Sequence, residues 1–186
     1  MSRESHRRAW RRAQRSIFRL PFGPVLAATD LNRLREIQKR HAGEKYADVD
    51  HWLRVNRERV QDLKLHRRRS QRVLDLGCGG GYFLFILKRL NHSVLGLDVD
   101  REPLFRELLD VFDVPRVTFE IKPFEPLPDL DPWPIMSWLR LRNHFRLHRE
   151  EIIDELRRRL PPGQCILWGA PVINANAPAT LDNRVN

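Results

Sequence analysis

Val73-Leu74-Asp75-Leu76-Gly77-Cys78-Gly79-Gly80-Gly81-Tyr82-Phe83 decides how this chain folds. The apolar run at 72–76 is short and bounded by glycine, which predicts a buried strand. The glycines make a loop, and the apolar stretch 82–90 that follows predicts a helix. Further along, Val94-Leu95-Gly96-Leu97 leads into Asp98, a second strand over 93–99. Pro103 suits a helix start, and Leu104, Phe105, Leu108, Leu109 and Phe112 recur at the helical period. A third strand is expected at 117–121, a proline-punctuated stretch at 122–134, and a fourth strand at 135–139. Ile152, Ile153, Leu156 and Leu160 predict a helix over 148–160, stopped by Pro161-Pro162-Gly163, and a fifth strand follows at 164–169. Strands alternating with helices give an α/β fold, a Rossmann-like, doubly wound, mostly parallel sheet of about five strands.

Upstream, two helical stretches are expected at 31–41 and 50–66. In the second, Asp50 is the expected N-cap and Trp52, Leu53, Val60 and Leu63 form an apolar stripe. Residues 67–70 read as a basic linker. The domain reading is an arm at 1–30, a main domain at 31–169 (helical cap 31–66, sheet core 71–169) and a coil tail at 170–186.

The chain has 186 residues, 41% hydrophobic and 31% charged, which is ordinary globular composition. No apolar run reaches the roughly 18–20 residues a membrane span needs, and two cysteines cannot build a disulfide scaffold. The formal charge of +10 is almost wholly arginine. Arg3, Arg7, Arg8, Arg11, Arg12, Arg15 and Arg19, opposed only by Glu4, carry most of the excess. The arm resembles a transit peptide in composition, but it is read as a solvated extension of a cytoplasmic protein rather than a nucleic-acid site.

The loop narrows the ligand. A dinucleotide fingerprint needs a third glycine three residues after Gly79, where Tyr82 stands, and no phosphate-loop lysine follows. Asp75 precedes the first glycine by two residues and would repel a diphosphate, yet it suits a cation. S-adenosylmethionine carries an ammonium and a sulfonium and no phosphate. Asp98, 21 residues after Gly77, can accept hydrogen bonds from both ribose hydroxyls.

Residues 73–83 and 94–100 resemble the first two motifs of class I S-adenosylmethionine-dependent methyltransferases. The resemblance extends over 46–163, including Phe124-Glu125-Pro126-Leu127-Pro128. It implies S-adenosylmethionine as cofactor, with Asp75, Gly77, Cys78, Gly79 and Gly81 around its methionine and adenosine, Asp98 on the ribose and Val99 beside it. The acid such enzymes carry after the third strand falls on Pro123, so Phe124, Glu125 or a backbone carbonyl must hold the adenine. Asp131-Pro132-Trp133-Pro134 faintly resembles the Asp-Pro-Pro-aromatic motif of amino methyltransferases, with two residues exchanged. Arg140, Asn143 and His144 follow the fourth strand, where the acceptor lies in this topology, and His144 or His148 is a candidate base. No metal site is expected.

Two features set the alternatives. The family's terminal β-hairpin has no counterpart in the residues after Gly169, which leaves Ile166, Leu167 and Trp168 on an edge open to self-association. The expected function is methyl transfer to a small molecule. The alternatives are a nucleic-acid methyltransferase using the arm and an inactive, methyltransferase-like interaction module.

Overall fold

The computed structural model describes residues 30–122, 128–130 and 135–138. The arm, the helix read at 148–160, the strand read at 164–169 and the tail lie outside the described residues. In chain order the elements are α1 (Leu31–Arg40), α2 (Val49–Asp62), a 3-10 turn (Leu65–Arg67), β1 (Arg72–Leu76), α3 (Tyr82–Arg89), β2 (Ser93–Asp98), α4 (Pro103–Phe112), β3 (Arg116–Thr118) and β4 (Ile135–Trp138).

The four strands form one parallel sheet in the order β3-β2-β1-β4. The chain steps outward from β1 to β3 and then returns to the far side of β1. Such a reversal opens a crevice beyond the carboxyl ends of the strands, where open α/β sheets hold their ligands. In register, Asp75 lies opposite Gly96 on one side and Ser137 on the other.

Why the chain packs this way is visible in α3, which is buried from Tyr82 through Leu87. A helix that is apolar all round over its first six residues needs cover on both sides. The sheet supplies one side and α2, through Trp52, Leu53 and Val60, the other. Fully burying side chains such as Leu53, Val60 and Leu87 is worth about 1.5–3 kcal/mol each, so the N-terminal helices belong to the same core as the sheet. On α4, Leu104, Leu108, Leu109 and Phe112 are buried, and Phe112 stacks on Phe85 with ring centroids 4.4 Å apart. No described helix is long and apolar enough to cross a membrane.

Several expected boundaries move. The N-cap of α2 is Asp48, not Asp50: its carboxylate accepts from the His51 N–H at 3.0 Å. Asp50 sits in the first turn, where a negative charge still favours the helix N-terminus. The helix ends at Asp62 rather than 66, because Lys64 turns left-handed (φ 56°) before the 3-10 turn. Leu90 is the C-cap of α3. Val99 falls just past β2, and β3 spans Arg116–Thr118 instead of 117–121.

The cap is clasped to α4 by charge. His41 Nδ1 bonds Glu44 at 2.7 Å, His41 Nε2 bonds Glu107 at 3.2 Å, and Arg40 also bonds Glu107. The bonds to Glu44 and then Glu107 raise the His41 pKa. A raised histidine pKa contributes stability that is full below about 6.5, the unfolded value, and is lost as pH climbs through the folded value. His41→Asn should therefore lower the thermal midpoint by about 1–3 °C in mildly acidic buffer. The same substitution should have a smaller effect in alkaline buffer, checked by calorimetry at both ends.

Candidate functional site

The glycine loop is tied to β2 before any ligand is considered. The N–H groups of Gly77 and Cys78 donate to the Leu97 carbonyl at 2.7 and 3.4 Å. Gly77, Gly79 and Gly81 have φ of 75°, 53° and 74°, a region that costs other residues about 1–3 kcal/mol. Gly81 is the N-cap of α3, and a Cβ there would lie 2.5 Å from Leu109 Cδ2. The loop thus passes so close beneath α4 that its backbone, not its side chains, faces the crevice.

Two carboxylates flank that loop in different surroundings. Asp98 ends β2 half-buried. One of its oxygens accepts from the Gly79 N–H, the other from its neighbour Val99 N–H at 2.7 Å. A carboxylate has about four acceptor positions, so two remain for a ligand. Asp75, by contrast, is 1% exposed. Burial pushes its pKa up to about 7, against the Ser137 hydroxyl that donates to it at 2.7 Å and the positive charge of Arg59.

Arg59 comes from α2 and is itself 8% exposed. Its Nη1 donates to Asn56 Oδ1 at 2.8 Å, and Asn56 Nδ2 donates to the Trp52 carbonyl at 2.8 Å. Positions 52, 56 and 59 share one helical face. Their burial places a guanidinium close enough to Asp75 to act on its ionisation.

These groups line one cavity of about 490 Å³, the size of a small-molecule or cofactor site. Asp75, Gly77, Cys78, Gly79, Asp98 and Val99 all border it. Gly81 does not border it and acts as the hinge into α3. Cys78 packs its sulfur against β2, since a Cβ on Gly96 would lie 2.4 Å from Sγ. Burial raises the pKa of that thiol, so its contribution to the cavity is its backbone and bulk. Phe124, Glu125, Arg140, Asn143 and His144 lie outside the described residues, as do Pro123 and the 131–134 tetrapeptide.

The outer wall has no motif of its own in the sequence. Tyr46, from the turn before α2, lies 4.7 Å from the Trp52 ring and 5.3 Å, edge-on, from Phe105 of α4. Trp52 Nε1 donates to the Lys45 carbonyl at 2.7 Å, and the Tyr82 hydroxyl donates to the Tyr46 carbonyl at 2.8 Å. Two side-chain bonds therefore hold the 45–46 backbone over the crevice. At the far end the Phe119 N–H donates to the Asp98 carbonyl at 2.9 Å, the last rung of the β2–β3 ladder, and Glu120 pairs with Arg101.

No protein-family model matches the chain, and no curated protein matches it. Solved structures do. A protein from Pyrococcus horikoshii OT3 is 24% identical over 60% of this chain and 56% of its own, with a TM-score of 0.46. Precorrin-6y C5,15-methyltransferase from Geobacter metallireducens GS-15 is 24% identical over 59% and 60%, with a TM-score of 0.45. The glycopeptide N-methyltransferase MtfA, solved with S-adenosyl-L-methionine, is 22% identical over 59% and 52%, with a TM-score of 0.45. The matches thus span a little over half the length of each of those proteins. They are likenesses, and the reading of the site rests on its own residues.

Proposed function

We propose that the chain binds S-adenosylmethionine in this cavity and transfers its methyl group to an acceptor, most simply a small molecule. The observation that carries the reading is that a buried carboxylate (Asp75) and a buried guanidinium (Arg59) line the same cavity, near enough for Arg59 to act on the ionisation of Asp75. Burying either charge alone is costly. Together they match a zwitterion, the ammonium and carboxylate of an amino acid.

The rest of the lining fits the same molecule. Asp98 has acceptor capacity left for two ribose hydroxyls. The glycine loop lets an adenosine approach the backbone, and Val99 and Ile121 offer apolar contact to a base. The cofactor would bring a methyl group on a positively charged sulfur, ready for in-line displacement. The protein's task is to hold donor and acceptor in line, which can supply about 7–11 kcal/mol of rate enhancement without any catalytic group. Tyr46, Trp52 and Phe105 exclude water from that geometry and present aromatic faces, which attract cations. Arg140, Asn143 and His144 remain the proposed acceptor-side groups.

The test is calorimetry with S-adenosylmethionine and S-adenosylhomocysteine on the whole chain. Both should bind, and Asp98→Ala should weaken them by about 1.5–3 kcal/mol, roughly 10- to 150-fold, for the lost bonds to a charged acceptor. Absence of binding by either compound would overturn the reading, and binding without turnover of any acceptor would support an inactive module instead.

A further inference from the structure

Between Asp62 and Asp75 the chain carries no acid, yet it holds Lys64, Arg67, Arg68, Arg69 and Arg72, with His66 among them. The centre of this stretch, residues 67–70, is what the sequence reads as a basic linker. In the structure it is neither flexible spacing nor part of the cavity. It runs into the amino end of β1, whereas the cavity opens at the carboxyl end, roughly 16 Å away along a five-residue strand.

His92 fixes the stretch in place. Buried at 4% exposure, its Nδ1 accepts from the Gln71 N–H at 3.1 Å while its Nε2 donates to the Leu65 carbonyl at 3.2 Å. Burial lowers the His92 pKa, which favours the neutral ring those two opposite roles require. Ser70 Oγ donates to the Asn91 carbonyl at 2.6 Å, and the Ser93 N–H donates to the Gln71 carbonyl at 2.9 Å. The backbone on either side of Arg67–Arg69 is therefore pinned, while Lys64, Arg67, Arg68 and Arg69 are exposed.

We propose that this face, centred on Arg67, Arg68 and Arg69, docks the phosphate backbone of a nucleic acid without reading its sequence. Pre-organisation lowers the ordering cost of binding, and guanidinium groups match phosphate oxygens in bidentate fashion. Like-charged side chains held together repel one another, and phosphates relieve that repulsion while releasing counterions. The choice of nucleic acid over an acidic membrane rests on what is missing beside the arginines. Among the described residues the one exposed large apolar side chain is Leu31, on α1. Among the described residues, then, the face has no exposed large apolar side chain to enter a bilayer and no aromatic platform on which single-stranded bases would stack. A duplex, which presents phosphates outward with its bases stacked inside, fits that cluster of guanidinium groups. This docking face does not depend on what fills the cavity.

A short labelled RNA duplex, titrated with the whole chain across a salt series, reads the proposal directly. The Arg67→Gln/Arg68→Gln/Arg69→Gln variant should reduce the slope of log affinity against log salt by about 2–3 and weaken binding about tenfold or more near physiological salt. Its thermal midpoint should stay at the wild-type value, which separates lost docking from lost folding. A second variant, Arg7→Gln/Arg8→Gln/Arg11→Gln/Arg12→Gln, measures the arm. An unchanged slope in the first variant, with all the loss in the second, would overturn the proposal. So would binding to acidic phospholipid vesicles that depends on Arg67–Arg69 when RNA binding does not.

Discussion

Asp75→Asn should abolish measurable cofactor binding and, at the same time, make the ligand-free protein more stable in alkaline buffer. The two effects have one cause. Asp75 is fully enclosed, and its pKa is pushed from 3.8 up to about 7 by burial. Between those values the folded chain holds a proton that the unfolded chain has released. Stability therefore falls as pH rises from about 4 to about 7, the reverse of an ordinary salt-bridged aspartate. Asparagine resembles the protonated acid in shape and never ionises, so the variant should lose this pH slope. The thermal midpoints of variant and wild type should diverge progressively over that window, the variant lying higher above pH 7.

The ligand reverses the balance. An ammonium against Asp75 favours the carboxylate, so binding near neutral pH should expel the proton that Asp75 carried. Calorimetry in two buffers of different ionisation enthalpy would detect proton release in the wild type. Wild-type affinity should rise with pH up to about 7 and then level off. In Asp75→Asn, affinity should fall by at least about a hundredfold, because breaking a buried charge pair costs about 3–5 kcal/mol. Wild-type affinity retained in the variant would remove Asp75 from the site.

How far the sequence reaches depends on which physical signal a residue leaves. The sheet core is legible because short apolar runs closed by glycine, and an apolar helix opened by Gly81, fit few other structures. Asp75 and Asp98 are legible because one interrupts and the other ends an apolar run, where a charge must have a reason. The N-cap of α2 is ambiguous in sequence: Asp48 and Asp50 are equally good caps, and the choice falls to Asp48 because Val49 and Trp52 then turn inward. β3 pairs only as far as Thr118, opposite Asp98 where β2 itself ends, a limit set by the partner strand and without a local signature.

Arg59 and Asn56 leave a subtler signal. On a helix that also carries Arg54, Arg57 and Glu58, two more polar residues look like solvated surface. Their spacing gives them away, since 52, 56 and 59 fall on the stripe that Trp52 and Val60 mark as buried. Tyr46 leaves no signal at all, because it lies in a turn and gains its place from Trp52 and Tyr82. Cavity walls built from turns and from neighbouring helices are in general harder to read than the strand ends that carry the loop.

Arg59→Met tests whether the second half of the zwitterion site is real. Methionine keeps much of the buried volume and removes the charge, which separates chemistry from packing. Replacing a buried charge by an apolar side chain is costly only if its partner stays charged. Because Asp75 is largely protonated below about pH 7 and ionised above it, the variant should be nearly as stable as wild type in mildly acidic buffer and clearly less stable in alkaline buffer. Without the guanidinium to oppose burial, the pKa of Asp75 should move higher still. On the ligand side, losing charge-assisted bonds to a carboxylate should weaken S-adenosylmethionine by about 1.5–3 kcal/mol, roughly 10- to 150-fold. An analogue of the cofactor that lacks its carboxylate has nothing to lose to this substitution, so wild type and variant should bind it alike. Equal weakening of both compounds would mean that Arg59 merely shapes the pocket. A selective loss for the carboxylate-bearing ligand would place Arg59 on that group and Asp75 on the ammonium beside it.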